Sequence, residues 1–435
     1  MYVYSKEFYE RTITTDWNLV CDNIHFKSLY KTVLFIGSLF ILLTGILGDK
    51  FGRKRTAYFL IILNCFATML SAIAFNLVKD KNVAMIILSI CRFLMGISDG
   101  LYLPLTILAI EIVGPSYRVI AASLMYYCYT CGEFVLLLCA FFLRDHKNLS
   151  ICIAVLLSIG VFYFWYVPES VRYLVQRKKF KEVDFIFKRI AKSNKRKYIS
   201  NFNENDSEKE ELIEKKKSTP ISLLFTKEIL PRFLVNFINW FTNGLIYFGI
   251  SINTDVLGGN PYLNFLYLGI VELFSLIICN SILSKFGRKK PYLINLWIVI
   301  FSFILIGFIP HHMNWLLIIL VLIGKFSITF TFNTIMITSA ESFPTVIRSR
   351  AISFCLLFGR FGSIISPTVS SLGMIYFKSL PYLIYASIAA TSAIAYLIVM
   401  PETSGGDLPE TLDDLVKKKS KSNDSELEES SLGKF

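Results

Sequence analysis

The chain has 435 residues, of which 54% are hydrophobic, 15% aromatic and only 18% charged, against about 25% charged in an ordinary soluble protein. Mean hydropathy is +0.55, so too little polar surface remains to wrap a soluble core, and disordered, collagen-like and disulfide-scaffold classes are excluded. The net charge of +13 would suggest nucleic acid in a soluble protein. Here most Lys and Arg fall in short loops and one linker that the positive-inside rule assigns to the cytoplasm, so no nucleic-acid partner is implied.

In chain order, residues 1–29 are polar and mixed in charge, with no cleavable signal peptide. Eleven apolar stretches then reach the length needed to cross a bilayer, at about 30–48, 56–76, 84–112, 119–142, 149–166, 231–252, 262–284, 292–310, 314–338, 351–371 and 381–400. The spacing predicts an all-α polytopic membrane protein. An N-terminal half of five spans (30–166) and a C-terminal half of six (231–400) flank a basic linker (167–230). The first part of that linker has apolar residues at helical spacing, as in an amphipathic helix lying along the inner membrane surface or packing under the bundle. Residues 401–435 form a cytoplasmic tail. The turns Asp49–Arg55 and Lys285–Lys290 are basic and face the cytoplasm, whereas the loops at 253–261 and 311–313 lack Lys and Arg and face outward. The N-terminus then starts outside.

No cofactor or metal is implied. The nine cysteines and four histidines have no metal-ligand spacing, and Cys128–Cys131 sits within a span. Cys21 alone falls in the predicted outer segment. No phosphate-cradling loop ending in Lys-Ser/Thr is present, which argues against ATP hydrolysis and, with it, against an enzyme.

The chain repeats itself. Lys-Phe-Gly-Arg-Lys occurs at 50–54 and 285–289, an offset of 235; Pro168-Glu169-Ser170 returns as Pro401-Glu402-Thr403, an offset of 233; Glu111 to Arg118 returns as Glu341 to Arg348, an offset of 230. Both copies keep the same membrane orientation. Parallel repeats joined by a long inner linker are the architecture of major facilitator transporters. Equal halves predict one further span ahead of residue 30, as would follow from an incomplete gene model or a truncated isoform.

Charges within spans default to function, because each costs roughly 2.5–3.5 kcal/mol at the bilayer centre. Arg92, Asp99, Glu133, Glu272, Lys325 and Arg360 are the candidates. Glu272 and Arg360 together would suit a zwitterion, with ammonium beside the acid and carboxylate on the guanidinium; alternatively Arg360 pairs with Glu272 or Glu133 and merely locks the fold. At the first basic turn, Gly52 allows a tight reversal, and Asp49 is placed to accept from a neighbouring helix N-terminus.

Several motifs resemble the organic cation, organic anion and carnitine transporters of the major facilitator superfamily. They are Thr15-Asp16-Trp17-Asn18-Leu19-Val20-Cys21, Gly48-Asp49-Lys50-Phe51-Gly52-Arg53-Lys54, Arg92-Phe93-Leu94-Met95-Gly96, Pro168-Glu169-Ser170-Val171-Arg172-Tyr173-Leu174 and Gly324-Lys325-Phe326, followed by Ala340 to Arg348 and Leu408-Pro409-Glu410-Thr411. The resemblance covers residues 12–415 and departs in lacking the first span and most of the large outer loop, of which 1–29 would be a remnant. It also departs in having Ser342-Phe343 where Leu-Tyr or Leu-Phe is usual.

The resemblance implies a secondary transporter whose halves rock about a central site, with substrate-binding residues Tyr102, Trp240, Tyr247, Glu272, Lys325 and Arg360. It implies gating residues Asp49, Gly52, Arg53, Arg92, Glu111, Arg118, Glu169, Arg172, Arg288, Glu341, Arg348 and Glu402. The partners are a small organic ion, carnitine-like or a quaternary amine, and the lipid bilayer, in the plasma membrane; no motif assigns a coupling ion. Organic anion exchange and a non-transporting membrane sensor are the competing readings.

Overall fold

The computed structural model describes residues 6–20, 24–78, 80–114, 117–196, 226–227, 229–252, 259–309, 313–344 and 347–403, apart from the side chains of residues 24, 81, 118–119, 122–123 and 348–349. Cys21, Asp255, His311, His312 and the Leu408–Thr411 motif lie outside the described residues. Among the described residues, 11 helices are long and apolar enough to cross a membrane, one for each stretch expected. Several run past the apolar window into basic residues, as at Arg53 and Lys289. Backbone groups near the bilayer must be bonded within the helix, and long basic side chains carry their charge back to water.

The chain divides into two compact units, Met1–Lys217 and Ser218–Phe435. Unit 1 opens with α1 (Ile13–Trp17), whose N-cap Thr12 and Thr15 exchange side-chain and backbone bonds. Its spans are built from α2 (Ile24–Ser38) with α3 (Ile41–Phe51), α4 (Arg53–Leu77), α5 (Lys81–Ser98) with α6 (Tyr102–Ile112), α7 (Arg118–Leu143), and α8 (His146–Ile159) with α9 (Tyr163–Tyr166). Trp17 stacks on Phe75 at 5.9 Å, pinning α1 to one end of α4. Two short helices follow, α10 (Val171–Gln176) and α11 (Phe180–Ser193). They share a small core of Leu174, Val183 and Ile186, so the amphipathic pattern of the linker is spent on packing α10 against α11.

Unit 2 holds α12 (Leu230–Ile252), α13 (Pro261–Phe286), α14 (Lys289–Ile306), α15 (Asn314–Ser342), α16 (Arg348–Ile375) and α17 (Leu380–Val399). Its core is larger and centred on fully buried Tyr292, Phe303, Tyr385 and Tyr396. Helix α12 lies closest to α16: a Cβ on Gly244 would stand 2.1 Å from the Gly359 carbonyl oxygen, and one on Gly362 would stand 2.2 Å from that of Phe241. Small residues let backbones approach where lipid supplies no hydrophobic drive. The counterpart of Gly362 at the repeat offset is Gly132 on α7, which meets nothing within 4 Å. No counterpart of α12 occurs among the described residues of unit 1.

Candidate functional site

Three helices of unit 2 converge on a buried charge cluster. Glu272 lies midway along α13 and Lys325 midway along α15, 4% and 1% exposed. Lys325 Nζ stands 2.6 Å from Glu272 Oε2, donates to Ser251 Oγ of α12 at 2.7 Å, and lies over the Tyr247 ring at 3.6 Å from its centroid. Tyr247 donates its hydroxyl to Glu272 Oε1 at 2.7 Å. The ammonium therefore has an anion, a hydroxyl oxygen and a π face. Neutralising both charges in place offsets a desolvation cost that neither could bear alone. Helices α13 and α15 are held in register beside the pair by the Ser275 hydroxyl, which donates to the Phe326 carbonyl at 2.8 Å.

The partner of Glu272 is thus Lys325. Arg360 sits elsewhere, half-buried on α16, and no ion pair joins it to Glu272 among the described residues. Trp240 and Tyr247 lie on one face of α12 and both meet Phe332 of α15, at 5.6 and 5.4 Å. Their surroundings differ. Trp240 is 1% exposed and donates its indole N–H to Ser339 Oγ at 2.9 Å, so its ring is part of the packed interior, whereas Tyr247 touches the charges. In unit 1, Tyr102 lies 5.8 Å from the Tyr126 ring, and Arg92 stacks its guanidinium over Tyr30 at 4.7 Å.

A second set of groups occurs twice, once in each unit. Gly52, between α3 and α4, has φ 105° and ψ 149°, a region used in practice by glycine alone. A Cβ there would stand 2.3 Å from Glu169 Oε2. Glu169 Oε1 accepts from the backbone amides of Lys54 at 3.0 Å and Ser170 at 2.9 Å, placing a carboxylate on the unpaired N–H groups and positive dipole end of α4. Arg53 pairs with Asp49 at 2.9 Å and Glu111 at 3.4 Å, and Ser170 donates its hydroxyl to Glu111.

Unit 2 repeats the glycine, the arginine and both glutamates of this arrangement. Gly287 has φ 80° and ψ −164°, and a Cβ on it would stand 2.8 Å from Glu402 Oε2. Glu402 accepts from the amides of Arg288 at 2.8 Å and Lys289 at 3.0 Å. Arg288 pairs with Glu341 at 3.1 Å, and Thr403 donates its hydroxyl to Glu341.

The carboxylate on the α4 amides is thus Glu169. Asp49, whose side chain is 76% exposed, bonds Arg53 across the Gly52 break between α3 and α4. Arg172 is exposed on α10. The side chains of Arg118 and Arg348, which open α7 and α16, lie outside the described part.

Two features were missed. Lys325 and Glu272 are both among the intramembrane charges that the sequence singles out, but the sequence does not pair them with each other. A ladder of fully buried asparagines on α12 also went unread: Asn239 Oδ1 accepts from Tyr292 and Ser392, both at 2.6 Å, and Asn243 Oδ1 accepts from Thr331 at 2.7 Å. The Asn236, Asn239, Asn243 spacing was the available signal, because polar side chains at helical period in an apolar span mark a helix–helix seam.

Comparison with known proteins supplies the remaining observations. The family described as "Sugar (and other) transporter" matches residues 3–413. The chain is 31% identical over 425 residues to the organic cation transporter protein of Drosophila melanogaster, covering 95% of this chain and 75% of that one. It is 30% identical over 420 residues to the human organic cation/carnitine transporter 2, covering 96% and 74%. Among solved structures, a D-xylose-proton symporter superposes with a TM-score of 0.68 at 15% identity, covering 89% of this chain and 90% of the symporter. That last likeness concerns the fold.

Proposed function

The chain belongs to the sugar (and other) transporter family, and within it to the organic cation and carnitine transporters; from that premise we propose that this secondary transporter carries a small organic cation or zwitterion, carnitine-like or a quaternary amine. The single observation that carries the reading is the Glu272–Lys325–Tyr247 cluster. A substrate ammonium can take the place of the Lys325 ammonium between the Glu272 carboxylate and the Tyr247 ring, where cation–π attraction adds on the order of 0.5–2 kcal/mol. The displaced lysine is then available to a substrate carboxylate. A zwitterion exchanges with an internal ion pair of the same two signs, so no net charge is buried at any stage.

In this reading the two helical units move as bodies by alternating access, and the Gly52–Glu169 and Gly287–Glu402 turns hold the helix ends together in one state and release them in the other. The positive-inside rule supports a cytoplasmic side for the basic turns and with them the C-terminus, in a reading where the membrane is the plasma membrane.

The test is saturable uptake by purified protein in vesicles. Glu272→Gln and Lys325→Gln each abolish uptake of a carnitine-like substrate and each destabilise the fold by about 3–5 kcal/mol, because one buried charge is left alone. The double variant Glu272→Gln/Lys325→Gln regains stability yet stays inactive. Uptake that returns with stability assigns the pair to the scaffold and removes the substrate role. Organic anion exchange is the second reading, favoured by the fully buried Lys325 cation; there dicarboxylates rather than carnitine-like compounds compete for uptake.

A further inference from the structure

At the end of unit 1 that carries its basic turn, a cavity of about 530 Å³ opens among the starts and ends of α4, α9, α10 and α11. Five cations line it: Lys54, Arg55, Lys179, Lys181 and Arg189. Only two carboxylates do, and both are engaged. Glu169 is held by the amides of Lys54 and Ser170, and Glu182 by Lys179 at 2.6 Å. Lys54 is drawn to one wall, its Nζ 4.4 Å from the Phe164 ring centroid. No ion pair neutralises Arg55, Lys181 or Arg189 among the described residues, although Arg189 donates to the Tyr166 carbonyl at 3.3 Å. The cavity thus holds an excess of positive charge in one concavity, where like charges repel unless an anion joins them.

The rim has a different character. Trp165 and Phe185, 63% and 68% exposed, border the cavity, and Tyr166 beside them is 73% exposed. Trp165 and Tyr166 stand at the end of the span His146–Tyr166, the level at which aromatic rings sit at a membrane–water boundary; Phe185 faces the cavity from α11. A basic concavity directly under such a belt, on the side proposed above to face the cytoplasm, has the polarity of a phospholipid seen from headgroup to acyl chain.

We propose that this cavity binds the headgroup of a phosphorylated inositol lipid, with phosphates on Arg55, Lys181 and Arg189 and acyl chains along the Trp165 and Tyr166 rings. The position gives the lipid a route to the transport cycle. Glu169 and Lys54 line the cavity and also close the Gly52 turn, and Tyr173, a further lining residue, donates its hydroxyl to the Lys50 carbonyl at 3.3 Å. An occupied headgroup site stiffens that turn through residues the two share.

The experiment measures binding of a fluorescent phosphatidylinositol bisphosphate, carried in phosphatidylcholine nanodiscs, to the full chain. The triple variant Arg55→Gln/Lys181→Gln/Arg189→Gln weakens binding about a hundredfold, about fivefold for each charge removed. A control triple, Lys188→Gln/Lys192→Gln/Arg196→Gln, loses the same charge from positions outside the cavity and changes binding less than about threefold. Equal losses in the two triples mean a diffuse surface potential and overturn the proposal. Should the first triple fail to fold, Lys181→Gln alone, an exposed position, still shows its fivefold loss, and its absence counts against the site.

Soluble inositol trisphosphate and inorganic phosphate separate the sources of the phosphate. The inositol phosphate competes more weakly than the diacyl lipid, and inorganic phosphate hardly at all. Equal affinity for lipid and soluble headgroup removes the lipid, and displacement by inorganic phosphate as effective as by the inositol phosphate removes the inositol ring.

Discussion

The charged turn of unit 1 and that of unit 2 are built on the same frame yet differ in one acid. Where unit 1 has Asp49, the repeat offset puts Ser284 in unit 2. Arg53 is accordingly held by two acids, with its side chain 10% exposed, whereas Arg288 has Glu341 and the Leu283 carbonyl and is 23% exposed. The glycine, the arginine, the acid near a span end and the Pro-Glu-Ser/Thr carboxylate are the shared device. Asp49 is an addition that tightens one copy.

The sharpest way to break that comparison is at the glycines. Gly52→Ala costs about 3 kcal/mol and Gly287→Ala about 2, since both force a side chain into backbone space that glycine alone occupies. The clash with Glu169 is also closer than that with Glu402, 2.3 against 2.8 Å. Melting temperatures of the two purified variants give the order, and equal shifts would mean that the carboxylates yield without cost.

Removing the span-end acids reverses the ranking. Glu341→Gln removes the Arg288–Glu341 bond and destabilises by about 1.5–2 kcal/mol, whereas Glu111→Gln leaves Arg53 its bond to Asp49 and costs about 1. The same melts report the difference. If Glu111→Gln proves the costlier, burial of Arg53 outweighs its second partner.

Two smaller changes test Asp49 directly. Ser284→Asp puts an acid four residues before Arg288, across the Gly287 break as Asp49 lies across the Gly52 break from Arg53, and stabilises unit 2 by less than about 0.5 kcal/mol. Asp49→Asn, at a side chain 76% exposed, lowers stability by less than about 0.5 kcal/mol. Both effects shrink in high salt, where exposed pairs are screened; an effect that persists there would point to shape rather than charge.

Much of this was legible before the fold. Eleven apolar runs became eleven spans, because a backbone in lipid can satisfy its polar groups only as helix, and length with composition then decides the matter. The repeated Lys-Phe-Gly-Arg-Lys pointed to both turns, since Gly52 and Gly287 stand where no other residue fits. The site was read less well. Trp240 and Tyr247 were placed on one face of α12, yet only Tyr247 touches a charge, because rotation of that helix is settled by the Gly244–Gly359 contact and the asparagine ladder. Glu169, which closes the Gly52 turn, arrives from more than a hundred residues further along the chain.

The amino-acid sequence by itself determined that this is a duplicated helical membrane protein and, through its motifs, which transporter family it resembles. The helices and the duplication follow from local composition and from repeated residues, which no neighbour can alter. Only the tertiary structure decided that Glu272 meets Lys325, that Glu169 and Glu402 close the turns, and that a basic cavity forms beside α10 and α11. Each of these needs side chains from helices distant in the chain to converge, and convergence depends on how helices rotate and pack, which hydropathy does not encode.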